Sequence, residues 1–309
     1  MPWVPRIAIS SSNDIATILK TRAFNRWSLF VLISLPVSIA VISVMNLTDM
    51  NTANGVSAMI QFTVRCSVPF LYIAFIASAT HALYPSHLSQ WLLRNRAIFG
   101  LCFAASMAWQ LLFILWLVGI HTEYYIGSVY VLRDAIEGML GYVLLTFMTL
   151  TSFKTTRRKI SPKHWKWLHK TGIYYLWAYA WSVYWYELYY YKDPELIDYL
   201  YYWLGLAALC LRITAWYRKQ PISKTSPAVA WPTAFIAGTI IIAGLAAAST
   251  GSSWSSPAHT LLLGNTPLQL FELYLPYYPF VPFLPVFAIA SGTWLLTRQA
   301  RTPDTEFRG

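Results

Sequence analysis

Residues 148–190 read MTLTSFKTTRRKISPKHWKWLHKTGIYYLWAYAWSVYWYELYY. The stretch leaves one apolar run, passes through six Lys and Arg residues between 154 and 166 without a single Asp or Glu, and enters a second run rich in Trp, Tyr and Ala. Residues 171–186 of that second run carry no charge. A soluble helix would show polar and charged side chains along its solvated face at every third or fourth position. A base-rich turn between two uncharged apolar runs is instead the pattern of a chain that crosses a bilayer, whose hydrocarbon core takes about 20 helical residues to span.

The same pattern continues in both directions from this stretch. Apolar runs of the required length fall at about 27–46, 58–80, 97–119, 136–153, 167–190, 199–217, 231–249 and 277–297. Over the chain, 57% of residues are hydrophobic and 11% charged, against about 25% charged in a soluble domain, so a soluble fold is excluded. A membrane barrel would read as alternating segments of about ten residues, which are absent. The expected fold is therefore all-α: a polytopic helical membrane bundle of about eight transmembrane helices, with the lipid bilayer as its first partner.

The charges decide orientation. With the N-terminus on the cytoplasmic side, Arg22, Arg26, Arg94, Arg96, Lys154, Arg157, Arg158, Lys159, Lys163, Lys166, Lys170, Arg218, Lys219, Lys224, Arg298 and Arg301 all share that side. The opposite loops hold Asp49, Glu123, Asp134, Asp193, Glu195, Asp198 and Glu272, with Arg133 and Lys192 as their only bases. This asymmetry predicts cytoplasmic N- and C-termini. It also accounts for the net charge of +11 without any nucleic acid partner. Cys66, Cys102 and Cys210 each fall inside an expected span, as small apolar residues do. The first 26 residues are mixed polar, with no small-residue cleavage site.

No nucleotide-binding, metalloprotease or nucleophile-elbow motif occurs in a usable context, so no catalytic residue is assigned. Any cofactor has to sit between helices or belong to a partner. Aromatic residues gather where spans meet water, as at Tyr124–Tyr125, Trp165–Trp167, Tyr184–Tyr191, Tyr199–Trp203 and Tyr274–Tyr278, which suits interfacial anchors. Arg65, several residues inside the second span, is costly there by about 2.5 to 3.5 kcal/mol and marks either a functional group or a snorkelling side chain. The loop 250–276, with its amphipathic run Leu261–Leu275, is the one extracytoplasmic segment large enough to form a cap or a partner surface. Pro279, Pro282 and Pro285 are expected to bend the last span.

Thr151-Ser152, Lys163-His164-Trp165, Leu168-His169, Tyr175-Leu176 and Leu211-Arg212, together with Arg94-Asn95-Arg96 before Gly100-Leu101, resemble the ferric reductase-like transmembrane family, nearest to its MsrQ-type haem-binding membrane subunits. The likeness covers roughly 58–219. It implies a six-helix core, residues 27–219, after a cytoplasmic segment 1–26 and before two additional helices in 220–309. It also implies a bacterial inner-membrane location, b-type haem held by histidines from two helices, and electrons supplied by a flavoprotein. Carried over by residue, His169 matches a family ligand, whereas the other two matched ligand positions are Gln110 and Ser182. At 1.5 Å per residue these two lie roughly 20 and 22 Å from the basic ends of their spans, at one depth. His169 and His81, at the foot of the second span, then remain as the axial pair for at most one haem b; His87 and His164 suit headgroup-level side chains.

Two readings follow. In the first, the chain is a divergent ferric reductase-like subunit with one cytoplasmic-side haem, passing electrons across the membrane with a partner. In the second, it is a haem-free accessory or assembly subunit of a membrane complex that kept the scaffold after cofactor loss.

Overall fold

The computed structural model describes Thr17 and residues 19–189, 193–220, 231–251, 253–255, 268–270, 273–275 and 281–299. The segment before Thr17, most of the loop 250–276, and Lys192, Lys224, His259, Glu272, Pro279 and Arg301 lie outside the described residues. Eight longer helices are described, each overlying an expected span: α1 Arg26–Leu47, α2 Ala53–Leu83, α3 His87–Ile120, α4 Leu132–Leu150, α5 Pro162–Tyr189, α6 Leu196–Arg218, α7 Trp231–Ser249 and α8 Leu284–Gln299. Five of them, α1, α2, α3, α6 and α7, are long and apolar enough to cross a membrane, and α8 is a shorter apolar helix. The chain is thus a helical membrane protein.

The expected boundaries shift where local chemistry overrides hydropathy. α2 and α3 have 31 and 34 residues, about 46 and 51 Å at 1.5 Å per residue, so they outrun the apolar windows 58–80 and 97–119. Their ends are capped. Thr52 Oγ1 accepts from the Gly55 N–H at 3.1 Å, and Ser86 and Ser89 form a reciprocal capping box at the start of α3, replacing partners that the first turn lacks. α8 begins later than expected, at Leu284. Pro282 lies in the 3-10 turn Val281–Phe283 and Pro285 is the second helical residue, where its missing N–H has no intrahelical acceptor to lose. These two prolines set where α8 starts instead of bending it. A short antiparallel ladder pairs Leu268–Leu270 with Leu273–Leu275, so this part of the expected amphipathic run is extended.

The chain divides into two compact units, 1–129 with 145–169 and 130–144 with 170–309. In the first, α2 packs along α3 and α1 lies against α3. Val41, Val56, Met59, Phe113 and Leu117 form a buried cluster there. Trp109 Nε1 donates to Ser38 Oγ at 3.1 Å, tying α3 to α1. The start of α1 hangs on Asn95, which is 1% exposed. Its Oδ1 accepts from the Arg26 N–H at 3.2 Å, and its Nδ2 donates to Asn25 Oδ1 at 3.1 Å.

In the second unit α7 packs closely along α8. A Cβ on Gly244 would meet the Pro285 carbonyl at 2.7 Å, and one on Gly292 the Ala237 carbonyl at 2.7 Å. Small residues at such crossings let helix backbones approach in lipid, where burial of apolar surface offers little drive. Tyr189 and Tyr202 both donate to the Ala248 carbonyl, at 2.8 and 2.7 Å. That carbonyl lies in the last turn of α7, where the helix itself supplies no donor.

Candidate functional site

The histidine matched to a family ligand lies in the first unit, in the opening turns of α5. Pro162 leads that helix, and Ser161 before it accepts from the His164 N–H at 3.2 Å; proline at a helix start and a serine ahead of it are favoured because the first N–H groups need non-helical acceptors. His169 Nε2 lies 2.9 Å from Thr151 Oγ1. The threonine hydroxyl is also 2.7 Å from the Phe147 carbonyl, and its one proton goes to that shorter contact. Oγ1 therefore accepts from Nε2–H, and the imidazole lone pair sits on Nδ1. The Trp165 ring lies 4.4 Å from the His169 ring. Trp165 is itself fixed, donating Nε1–H to the Thr151 carbonyl at 3.1 Å. The Arg157 guanidinium stands 4.3 Å over the same indole, and Arg96 and Arg157 are both within electrostatic reach of His169.

His81 sits at the end of α2, with Nδ1 3.2 Å from the buried Ser89 Oγ. That hydroxyl also accepts from the Ser86 N–H at 2.9 Å and faces the Ser86 carbonyl at 3.1 Å, so His81 rests on the capping box that opens α3. Each histidine is therefore held by a hydroxyl of its own neighbourhood, and no hydrogen bond or ring contact described joins the two. His164 Nδ1 is bound to Ser161 Oγ at 2.9 Å and is exposed. His87 is exposed at the start of α3.

The two non-histidine positions are placed as follows. Gln110, on α3 in the first unit, is half-buried and engaged by a partner group. Ser182, on α5 in the second unit, donates to the Tyr179 carbonyl of its own helix at 2.9 Å. The residue before it, Trp181, belongs to an aromatic column where α5 meets α6. Trp177, Trp181 and Tyr202 stack in a column, with ring centroids 5.5 and 5.4 Å apart and planes inclined by 10° and 17°. Trp177 Nε1 donates to the Gly205 carbonyl at 3.0 Å and Trp181 Nε1 to the Tyr202 carbonyl at 3.2 Å. Trp181 is 0% exposed, and Tyr184 and Trp185 are 3% exposed. Arg65 is half-buried and not free of partners.

These residues do not fit the family's haem. A bis-histidine site needs one imidazole lone pair from each of two helices, aimed at one iron. Neither Gln110 nor Ser182 offers an imidazole, and the Ser182 hydroxyl is bonded to its own helix. At His169 the outer nitrogen is engaged by Thr151, and the remaining lone pair is on Nδ1, beside the Cβ substituent, where a macrocycle would meet the helix that carries the ligand. At His81 one ring nitrogen, Nδ1, is likewise engaged, by Ser89. Among the described residues no group of three or more His, Cys, Asp or Glu side chains gathers as a metal site.

Sequence reading missed Thr151 as the partner of His169 and Ser89 as that of His81. The signal in both cases was a hydroxyl residue within a turn of a helix end, where side chains of that kind bond locally. Compared with models of known families, with curated proteins and with solved structures, the chain matches none.

Proposed function

We propose that this chain is a haem-free accessory or assembly subunit of a membrane complex, a helical scaffold of the ferric reductase-like type that holds partners instead of carrying electrons. The observation that supports this most is the Trp177–Trp181–Tyr202 column beside Ser182. Its rings fill the interior around α5, and its indole N–H groups are hydrogen-bonded to carbonyls of α6. A cofactor between α5 and α6 would have to displace buried aromatic surface and break those bonds, each worth about 0.5 to 1.5 kcal/mol net. In this reading the eight helices cross a bacterial inner membrane with both termini cytoplasmic, and the partner is a membrane protein or a flavoprotein.

The competing reading, one haem b on His169 and His81 within an electron-transfer subunit, draws on the Nε2 of His81, which no described hydrogen bond engages. An absorption spectrum of the purified protein, oxidised and dithionite-reduced, separates the two. The expected result is no b-type α-band. A near-stoichiometric band that disappears in His169→Ala would establish the electron-transfer reading in its place. Under mild solubilisation the accessory reading also expects a membrane protein to co-purify in fixed ratio.

A further inference from the structure

The turn between α4 and α5 carries six Lys and Arg residues, Lys154, Arg157, Arg158, Lys159, Lys163 and Lys166, and no Asp or Glu. All six are exposed, and among the described residues none has a carboxylate partner. So many unbalanced like charges repel one another, and an anion that neutralised them would be held. The charge is also organised. The Arg157 guanidinium rests 4.3 Å above the Trp165 ring, and that ring is held by its bond to the Thr151 carbonyl and by its contact with the His169 ring. A guanidinium fixed on an aromatic face keeps its planar fork of donors for a phosphate and loses little freedom on binding one.

The same edge of the first unit is apolar at its margin. Trp27 and Phe153, 54% and 41% exposed, stack with ring centroids 6.0 Å apart, and Trp167 is 66% exposed. Exposed rings of this kind belong at the level of lipid headgroups and glycerol esters. We infer that Arg157, seated on Trp165, is the centre of a binding site for the phosphate of an anionic phospholipid, with Lys154 and Lys163 adding charge and Trp27, Phe153 and Trp167 lying against its glycerol and acyl portion. Charge without acids, a preset guanidinium and an apolar margin together fit an anion with a lipid tail better than a soluble anion. The inference does not depend on whether haem is bound.

The test uses the full-length protein in a neutral detergent, titrated with fluorescently tail-labelled phosphatidylglycerol, with phosphatidylcholine as control. Arg157→Gln is expected to weaken phosphatidylglycerol binding about tenfold, since both a bidentate contact and a charge are lost. Lys159→Gln, which removes the same charge away from the indole, is expected to weaken it less than about threefold. Arg157→Lys and Trp165→Phe keep the charge and the shape while loosening the guanidinium, and should fall between. Equal losses for Arg157→Gln and Lys159→Gln would mean diffuse topological charge only, and would overturn the site. Inorganic phosphate displacing the lipid at equal concentration would overturn the lipid assignment in favour of a free-anion site.

Discussion

His169 Nε2 and Thr151 Oγ1 lie 2.9 Å apart, joining the first turns of α5 to the residue that follows α4. Removing one partner of a half-buried hydrogen bond leaves the other unsatisfied, at a cost of about 1 to 3 kcal/mol, whereas replacing both by apolar groups restores most of the loss. Thr151→Val and His169→Phe should each lower the thermal midpoint in detergent, and the double variant should be less destabilised than the sum of the two. Strict additivity would show that the bond contributes nothing.

Asn95 supports a longer reach of chain. Its amide accepts from the backbone of Arg26 and donates to Asn25, while Trp91, one turn earlier, donates to the Phe24 carbonyl at 2.8 Å. Arg26 itself has φ 57°, a left-handed conformation that costs a non-glycine residue about 1 to 3 kcal/mol and persists only where its surroundings hold it. Asn95→Ala should release the segment before α1, seen as faster tryptic cleavage after Arg22 and Arg26. Arg26→Gly, which relieves the strain without removing the backbone donor, should leave cleavage at Arg22 slow.

The α7–α8 pair offers a contrast between two glycines on one helix pair. A Cβ on Gly292 would meet the Ala237 carbonyl and the Ile241 side chain at 2.7 Å, while Gly238 has open space where a Cβ would go. Gly292→Leu should separate the helices, lowering the yield of a disulfide engineered across them. Gly238→Ala should leave that yield unchanged and raise stability by up to about 1 kcal/mol through helix propensity. Equal tolerance at both positions would mean that the close crossing is not required.

Topology rests on charge alone. With Arg94, Arg96 and the bases of 154–170 on one side, a Lys159→Cys variant should resist a membrane-impermeant thiol reagent in intact cells and react after permeabilisation. A reporter fused after Gly309 should be active only as a cytoplasmic fusion. Labelling of Lys159→Cys in intact cells would reverse the orientation.

The helices were legible because a span has a length set by the bilayer and a composition set by lipid, and both survive in one sequence. The expected run 231–249 and α7 coincide end to end. What escaped was local chemistry at the ends: the capping box of Ser86 and Ser89 extended α3 well before residue 97, because hydropathy registers apolar side chains and not orphan N–H groups. The candidate site was legible at His169 as a position but not as a hydrogen-bonded group, since Thr151 is eighteen residues away in sequence and only the turn between α4 and α5 brings it near. The composition of α5, rich in Trp and Tyr, is legible in the sequence, but the Trp177–Trp181–Tyr202 column is not. No periodicity within α5 specifies that Trp181 will stack on Tyr202 of α6.

That column also bears on the haem-free reading proposed above. On the competing reading, with family-like space for a porphyrin, Gln110→His with Ser182→His would supply two imidazoles and the purified protein would take up haem. We expect it to take up none, because Trp181 is 0% exposed and both of its stacked neighbours hold it in place. Room for a porphyrin would require moving rings whose truncation costs about 3 to 5 kcal/mol. The control is Trp181→Ala, which should lower the thermal midpoint by that order of stability while the protein still inserts. A stoichiometric b-type band in the double-histidine variant, with stability unchanged, would mean that the interior had kept its space and that ligand loss alone separates this chain from a haem carrier. Failure of haem uptake together with a large loss for Trp181→Ala would mean that packing, and not only coordination, has closed the site.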